Sequence, residues 1–246
     1  MVVNALANAL PINDITTGEL SDLYPNLFVP AGLTFSIWAV IYLLLGIFAV
    51  YQFAAAIRGR EAAACLERVG ALFVLASAAN ISWILAWHHR RIGISVLLML
   101  VLLGALLGAY LRLGIARSAA GPAERYLVHL PFSVYLGWIT VATIANVTAL
   151  LVDRGWNRLG AGEPFWAVAV IAAAVVITLL VLFTRRDIFY GLVVAWALLG
   201  IVLKRLSADP EPVRSVVVAA GLGLAVVCTG VLVQAVLGAA ARRPVY

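Results

Sequence analysis

The sequence has little charge, and almost none of it falls inside the long apolar segments. Only 11% of its 246 residues are charged, against about 25% in an average soluble domain. No Asp, Glu, Lys or Arg occupies the middle of an apolar segment. Because ion-coupled pumps and proton relays need ionisable groups at membrane depth, this absence argues against a proton- or sodium-driven transporter.

The residue patterns of metal centres and hydrolases are also missing. The two cysteines, Cys65 and Cys228, lie far apart and form neither a metal-ligand spacing nor a disulfide framework. There is no His-Glu zinc motif, paired carboxylate or nucleophile–base pair. The sequence therefore argues against an enzyme and predicts no required cofactor. The 17 basic residues are scattered between apolar segments rather than clustered on one face, which argues against nucleic-acid binding.

Apolar residues dominate instead. They make up 65% of the chain, and the mean hydropathy is +1.07, so lipid is the expected solvent. A spanning helix needs about 20 mostly apolar residues. Seven segments meet this length and predict an all-α, polytopic transmembrane helix bundle: Phe28–Ala54, Gly70–Trp87, Gly93–Leu111, Tyr126–Val152, Pro164–Phe183, Ile188–Leu203 and Arg214–Leu237.

The basic residues between these segments predict the orientation. Counted over alternate loops, Lys and Arg total 7 on the side of the N-terminal segment and 10 on the other. The positive-inside rule then places the N-terminal loop outside and the C-terminus inside. The Arg-, Ala- and Val-rich composition suggests a bacterial cytoplasmic membrane.

The N-terminal region contains two different stretches. Met1–Leu10 is apolar but spans only about 15 Å as a helix, half a bilayer, so we interpret it as the end of a helix whose start lies upstream. Pro11–Pro30 is rich in turn formers and acids, which predicts a loop or a short surface helix.

A few polar and aromatic residues stand out within the spans. Asn80 and Asn146 need partners in hydrocarbon and should face the bundle interior, either as contacts between helices or as pocket lining. Trp87, Trp156 and Trp166 lie at span ends, where the interfacial belt accounts for them. The other four tryptophans lie deeper: Trp38, Trp83, Trp138 and Trp196.

Helical spacing arranges these residues in stripes. Rings and amides that converge from several helices would form a slot for a flat, mostly apolar ligand, although packing alone also produces such stripes. The stripes are Phe35, Trp38 and Tyr42 on one helix, Asn80 and Trp83 on the next, and Trp138, Ala142 and Asn146 on a later one. Separately, Gly104 and Gly108 form a small-xxx-small pair that predicts a homodimer face as one alternative.

Three of these patterns resemble the TspO/MBR family, the tryptophan-rich sensory or translocator proteins. They occur in the family's order, on what would be its second, third and fifth helices: Pro30 followed by Trp38, Tyr42 and Gly46; Asn80-x-x-Trp83; and Trp138-x-x-x-Ala142-Thr143-x-x-Asn146. The chain differs from the family in having a single entry proline, Pro30, and in the position of Pro131, three residues further from Trp138. Phe35 is offset by one residue from the family's aromatic.

The resemblance covers about Asn4–Asp153 and implies a division of the chain. We expect a TspO-like five-helix core in residues 1–153, with Met1–Leu10 as the remnant of its first helix and 11–30 as the capping loop. Residues 154–246 would add a three-helix transmembrane region. The resemblance implies that the stripe residues, joined by Phe35, line a ligand pocket: Trp38, Tyr42, Asn80, Trp83, Trp138, Ala142 and Asn146.

The resemblance also implies a function. Family members bind porphyrins and other apolar ligands, and they are linked to the regulation of tetrapyrrole synthesis, stress responses and transport. We therefore expect a membrane-embedded sensor for a tetrapyrrole-like ligand, with porphyrin or haem as the ligand type. A non-ion-coupled facilitator of apolar solutes is the alternative, and a photochemical or degrading enzyme is a third.

Overall fold

The computed structural model describes residues 12–58, 63–118, 120–207 and 213–240. The predicted helix remnant Met1–Leu10 lies outside the described residues. Within them the chain is helical throughout and contains no strand. Its main helices are α1 (Thr17–Asp22), α2 (Ile37–Ile57), α3 (Ala63–His88), α4 (Ile92–Arg112), α5 (Leu130–Asp153), α6 (Glu163–Arg185), α7 (Ile188–Leu206) and α8 (Arg214–Ala240).

Helices α2 to α8 are each long and apolar enough to cross a membrane. They correspond to the seven predicted spans, so the polytopic helical fold is confirmed. Several ends differ from the prediction. The sequence predicts a first span that begins at Phe28, but residues 28–31 are not helical and the helical structure begins at Gly32, because the side chain of Asn26 accepts bonds from the amides of Phe28 and Val29. The second predicted span, α3, begins earlier, at Ala63. Helix α5 is preceded by a short helix, Pro122–Glu124, and a π-helical turn, Arg125–His129, which continue into it. The wide apolar surface left on these helices suits a lipid environment, because lipid solvates it as well as protein does.

Helix α7 connects the helices up to α5 with the C-terminal helices α6 and α8. It packs against α5 on one side and against α6 and α8 on the other. Gly137 of α5 allows the first contact, since a Cβ there would lie 3.2 Å from the Tyr190 carbonyl oxygen and from Val193. Gly200 likewise allows a close contact towards the other end of α7, here with the segment that contains Pro30 and Thr34. Its carbonyl accepts a hydrogen bond from the Ala31 amide at 3.0 Å.

The predicted loop 11–30 contains a short helix, as the sequence allowed. Helix α1 begins with a capping box in which Thr16 and Glu19 bond reciprocally to each other's backbone amides, satisfying two amides that the first turn leaves open. The side chain of Asn26 then accepts bonds from the amides of Phe28 and Val29, which turns the chain towards α2. These local hydrogen bonds fix the conformation of the segment that lies over the end of the bundle.

At the opposite end of the bundle, the turn between α6 and α7 holds a buried carboxylate that the sequence did not single out. Asp187 caps α7 by accepting from the amides of Phe189 and Tyr190, and the hydroxyl of Tyr110 donates to it at 2.9 Å. Burial raises the pKa of Asp187 above its ordinary value. This residue links α4 to the C-terminal helices.

Candidate functional site

A small cavity lies beneath α1, between the capping segment (residues 12–30, which include α1) and helices α2, α3 and α5. We call it the tryptophan cavity. Six of the eight predicted site residues line it: Phe35, Trp38, Trp83, Trp138, Ala142 and Asn146. The remaining lining comes from Thr17, Ser21 and Pro30 of the capping segment, and from Trp87, Val141 and Ala145.

The aromatic side chains of this cavity form a continuous stack. Trp38 stacks on Trp83 with ring centroids 5.7 Å apart, and Trp83 stacks on Trp87 at 6.2 Å. Tyr42 extends the stack beyond Trp38 at 5.5 Å, and Tyr24 of the capping segment contacts Trp87 at 5.9 Å. The stack therefore runs from within the bundle to the capping segment.

Trp138 stands across this stack. Its ring is perpendicular to Trp38, with an interplanar angle of 85° and centroids 6.2 Å apart, and Phe35 meets it edge-on at 5.7 Å. Edge-to-face pairs of this kind are favourable and rigid. Trp38 and Trp138 thus form a perpendicular aromatic corner in the lining of the cavity.

Asn146 forms the hydrogen bonds on the polar side of the cavity. Its Oδ1 accepts from Trp83 Nε1 at 3.1 Å, and its Nδ2 donates to Ser95 Oγ at 2.9 Å. These bonds join α3, α4 and α5 at one buried amide. Both alternatives for Asn146 are therefore met, because it connects helices and lines the cavity.

Trp138 is bonded differently. It is 2% exposed, and its indole N–H has no hydrogen-bond partner among the described residues. A buried donor without a partner is unfavourable by about 1–3 kcal/mol, so an acceptor atom on a bound molecule would be stabilised there.

The other two predicted site residues lie apart from this cavity. Tyr42 lines an open groove between α1 and α2, which also contains Phe35 and Trp38. Asn80 is buried on α3 outside the cavity lining, and its Oδ1 has no partner in the part of the chain that the structure describes. Contact of Tyr42 and Asn80 with a ligand stays a prediction.

The assignment of Trp87 to the interfacial belt is wrong. Trp87 is 4% exposed, and its Nε1 donates to the Thr17 carbonyl at 3.5 Å. It is buried because α1 folds over the end of α3 and removes the indole from the interface. Only the long-range placement of the capping segment reveals this, since a span-end tryptophan followed by polar residues has the sequence of a belt residue.

Contacts from two helices hold α1 over the cavity. Thr17 Oγ1 lies 3.3 Å from His88 Nε2 at the end of α3, and the side chain of Asn13 donates to the His88 carbonyl at 3.0 Å. On the other side, Lys204 of α7 forms an ion pair with Asp22. The capping segment thus covers the cavity through polar contacts at its rim.

The tryptophan cavity has little free space, about 30 Å³. A water molecule needs about 10–15 Å³ by a comparable measure, so one or two waters fit and a macrocycle does not. A larger ligand requires α1 to move aside and Trp38 to separate from Trp138. No group of three or more His, Cys, Asp or Glu residues that could hold a metal occurs in the described ranges.

The glycine pair proposed as a dimer face has two different surroundings. A Cβ at Gly108 would meet Leu72 of α3 in the same chain at 3.3 Å, whereas a Cβ at Gly104 would meet nothing within 4 Å. Gly108 therefore serves the α3–α4 contact, and dimerisation through Gly104 stays a prediction.

One comparison with known proteins gives a match. A protein-family model described as TSPO-like protein matches residues 1–233, so the family resemblance is confirmed. The match extends past Asp153, where the resemblance read from the motifs ended, and includes most of the three C-terminal helices. No curated protein and no solved structure matches the chain.

Proposed function

The chain belongs to the TSPO-like protein family, and we propose that it is a membrane-embedded binding protein for a planar, mostly apolar ligand with a regulatory role. The ligand type we expect is a tetrapyrrole such as a porphyrin. The observation that carries this proposal is the tryptophan cavity, in which stacked and perpendicular indoles meet beneath α1. There Trp138 offers an N–H that has no acceptor within the described part of the chain.

Binding in this site would begin with movement of α1, which we call the lid of the tryptophan cavity. Helix α1 is held by a few polar contacts at the cavity rim, whereas the aromatic residues below it sit on long helices. A flat ligand would enter under α1, lie against Trp38 and place an acceptor atom at Trp138 Nε1. We place α1 on the outer side of a bacterial cytoplasmic membrane, as the distribution of basic residues predicts.

Fluorescence titration tests the proposal. Protoporphyrin IX added to the purified protein in detergent should quench tryptophan emission saturably, and Trp138→Phe should weaken binding about tenfold, since the loss of one bond to a buried donor is worth roughly 1–1.5 kcal/mol. Trp156→Phe is the matched control, because it also removes one indole but lies outside the tryptophan cavity. Non-saturable quenching, or equal affinity in both variants, would contradict the proposal.

A facilitator of apolar solutes is the second candidate. The open groove between α1 and α2 shares Phe35 and Trp38 with the tryptophan cavity, so rotation of these two side chains would connect the cavity to the surface. Flux of protoporphyrin into liposomes that carry the protein would support this candidate. Saturable binding without flux would support the sensor.

A further inference from the structure

A second cavity lies on the other side of the capping segment, where α5 ends and α6 begins. We call it the α5–α6 cavity. It contains about 200 Å³ of free space, several times that of the tryptophan cavity. Three parts of the chain line it: Asn26, Leu27 and Phe28 of the capping segment; Thr148, Leu151 and Val152 of α5; and Trp156, Arg158, Glu163, Trp166, Ala167 and Val170 around the start of α6.

Most of the polar side chains that line this cavity are bonded to the protein itself. Asn26 bonds to the capping segment on both sides of its amide, and the hydroxyl of Thr148 donates to the Ile144 carbonyl. Arg158 lies 3.6 Å from Glu163, and Trp166 Nε1 donates to the Arg158 carbonyl at 2.8 Å. A ligand therefore finds apolar surface here without displacing a polar bond.

Three of the apolar residues that line the α5–α6 cavity are aromatic. Trp156 and Trp166 meet at 61° with centroids 4.9 Å apart, and Phe28, buried on the capping segment, forms part of the opposite lining. Edge and face contacts with indoles favour an aromatic ligand over an acyl chain. A rigid ring also loses less conformational entropy on binding than a flexible chain does.

Volume sets the size of the ligand. An apolar cavity of about 150 Å³ in another protein stays dry and binds benzene. The α5–α6 cavity is larger than that at about 200 Å³, which accommodates one or two fused rings and is too small to enclose a porphyrin. We propose that the α5–α6 cavity is a second binding site, for an uncharged aromatic molecule of one or two rings.

Binding of 5-fluoroindole, followed by ¹⁹F NMR of the ligand, tests this site without interference from the protein's own indoles. The wild-type protein should give a saturable change in shift or line width. Ala167→Phe places a ring in the cavity from a buried lining position and should weaken binding at least tenfold. Ala172→Phe is the matched control, because Ala172 lies on the same helix with its side chain exposed, and binding should be unchanged.

A milder variant and a lipid comparison complete the test. Ala167→Val should weaken binding less than Ala167→Phe but in the same direction, which keeps the test valid if the larger ring disturbs folding. Saturation of the same strength in wild type and both Ala167 variants would overturn the proposal. So would loss of wild-type binding on transfer from detergent to phosphatidylcholine nanodiscs, which would assign the cavity to acyl chains. Because Ala167 lies outside the tryptophan cavity, protoporphyrin binding should be unaffected in every variant, whichever result is obtained.

Discussion

The two cavities on either side of the capping segment are built on different principles. The tryptophan cavity has about 30 Å³ of free space and an indole N–H, that of Trp138, for which the described residues provide no acceptor. The α5–α6 cavity has about 200 Å³, and its bonded polar groups point to the protein. The first can recognise a ligand by a hydrogen bond and must open to admit it. The second already has space for a small ligand and selects by size and apolar contact.

The difference comes from where each cavity lies in the bundle. Four tryptophans from three packed helices fill the first, so its lining is held by neighbours on every side. The second occupies a junction between the capping segment and a short connection between two helices, where Asn157 caps a single turn. Loops at helix ends pack less completely than helix faces do, and space remains there.

The largest difference between the cavities should appear when a polar lining residue of α5 is removed. Asn146→Ala leaves the buried Trp83 N–H without its acceptor and removes the bond that Ser95 Oγ accepts, although Ser95 still donates to the Ile92 carbonyl. It should lower the free energy of unfolding by about 3 kcal/mol. Thr148→Ala removes a bond only to its own helix and should lower it by less than about 0.5 kcal/mol. Unfolding of both variants in mixed micelles with sodium dodecyl sulfate measures this, and equal losses would refute the contrast.

Added volume should have opposite effects in the two cavities. Ala142→Leu inserts three carbons into a filled site and should destabilise the protein by about 2 kcal/mol through overpacking. Ala167→Leu fills existing space and should leave stability unchanged or raise it by up to about 1 kcal/mol. The thermal unfolding temperatures of the two variants provide the measurement. Destabilisation by Ala167→Leu as large as that by Ala142→Leu would mean that the α5–α6 cavity is closed in solution.

Acid should loosen the lid of the tryptophan cavity and leave the α5–α6 cavity unchanged. Hydrogen bonds from the backbone and side chain of Thr16 lower the pKa of Glu19, so its contribution is complete above the ordinary glutamate pKa and is lost as the pH falls through the lowered value. Amide protection within α1, corrected for the intrinsic exchange rate at each pH, should therefore fall in acid more in wild type than in Glu19→Gln, which keeps a capping bond without titrating.

The control for that effect is 5-fluoroindole binding, which should be the same at neutral and acidic pH because α1 does not line the α5–α6 cavity. If wild type and Glu19→Gln lost protection equally in acid, the lid would be released by another group. Asp22, which pairs with Lys204, would then be the residue to substitute next.

Parts of the candidate site were predictable from the sequence, and others were not. The three motifs identified Trp38, Trp83 and Trp138 because their spacing alone puts each on a defined stripe of its helix. The same spacing placed Asn80 beside Trp83, yet Asn80 lies outside the cavity, since residues three apart diverge by about 60° around a helix. Trp87 was missed because its surroundings come from α1, about 70 positions earlier in the chain.

The sequence by itself determined the solvent, the helices and the family. Those depend on segment length, composition and motif order, which are local properties and do not require knowledge of which helix neighbours which. The tertiary structure alone decided that α1 closes over Trp87, that α7 joins the two halves at Gly137, and that space remains between α5 and α6. Each of these results from contacts between segments far apart in the chain, and helices that are apolar on all faces give no periodic signal of the side on which they pack.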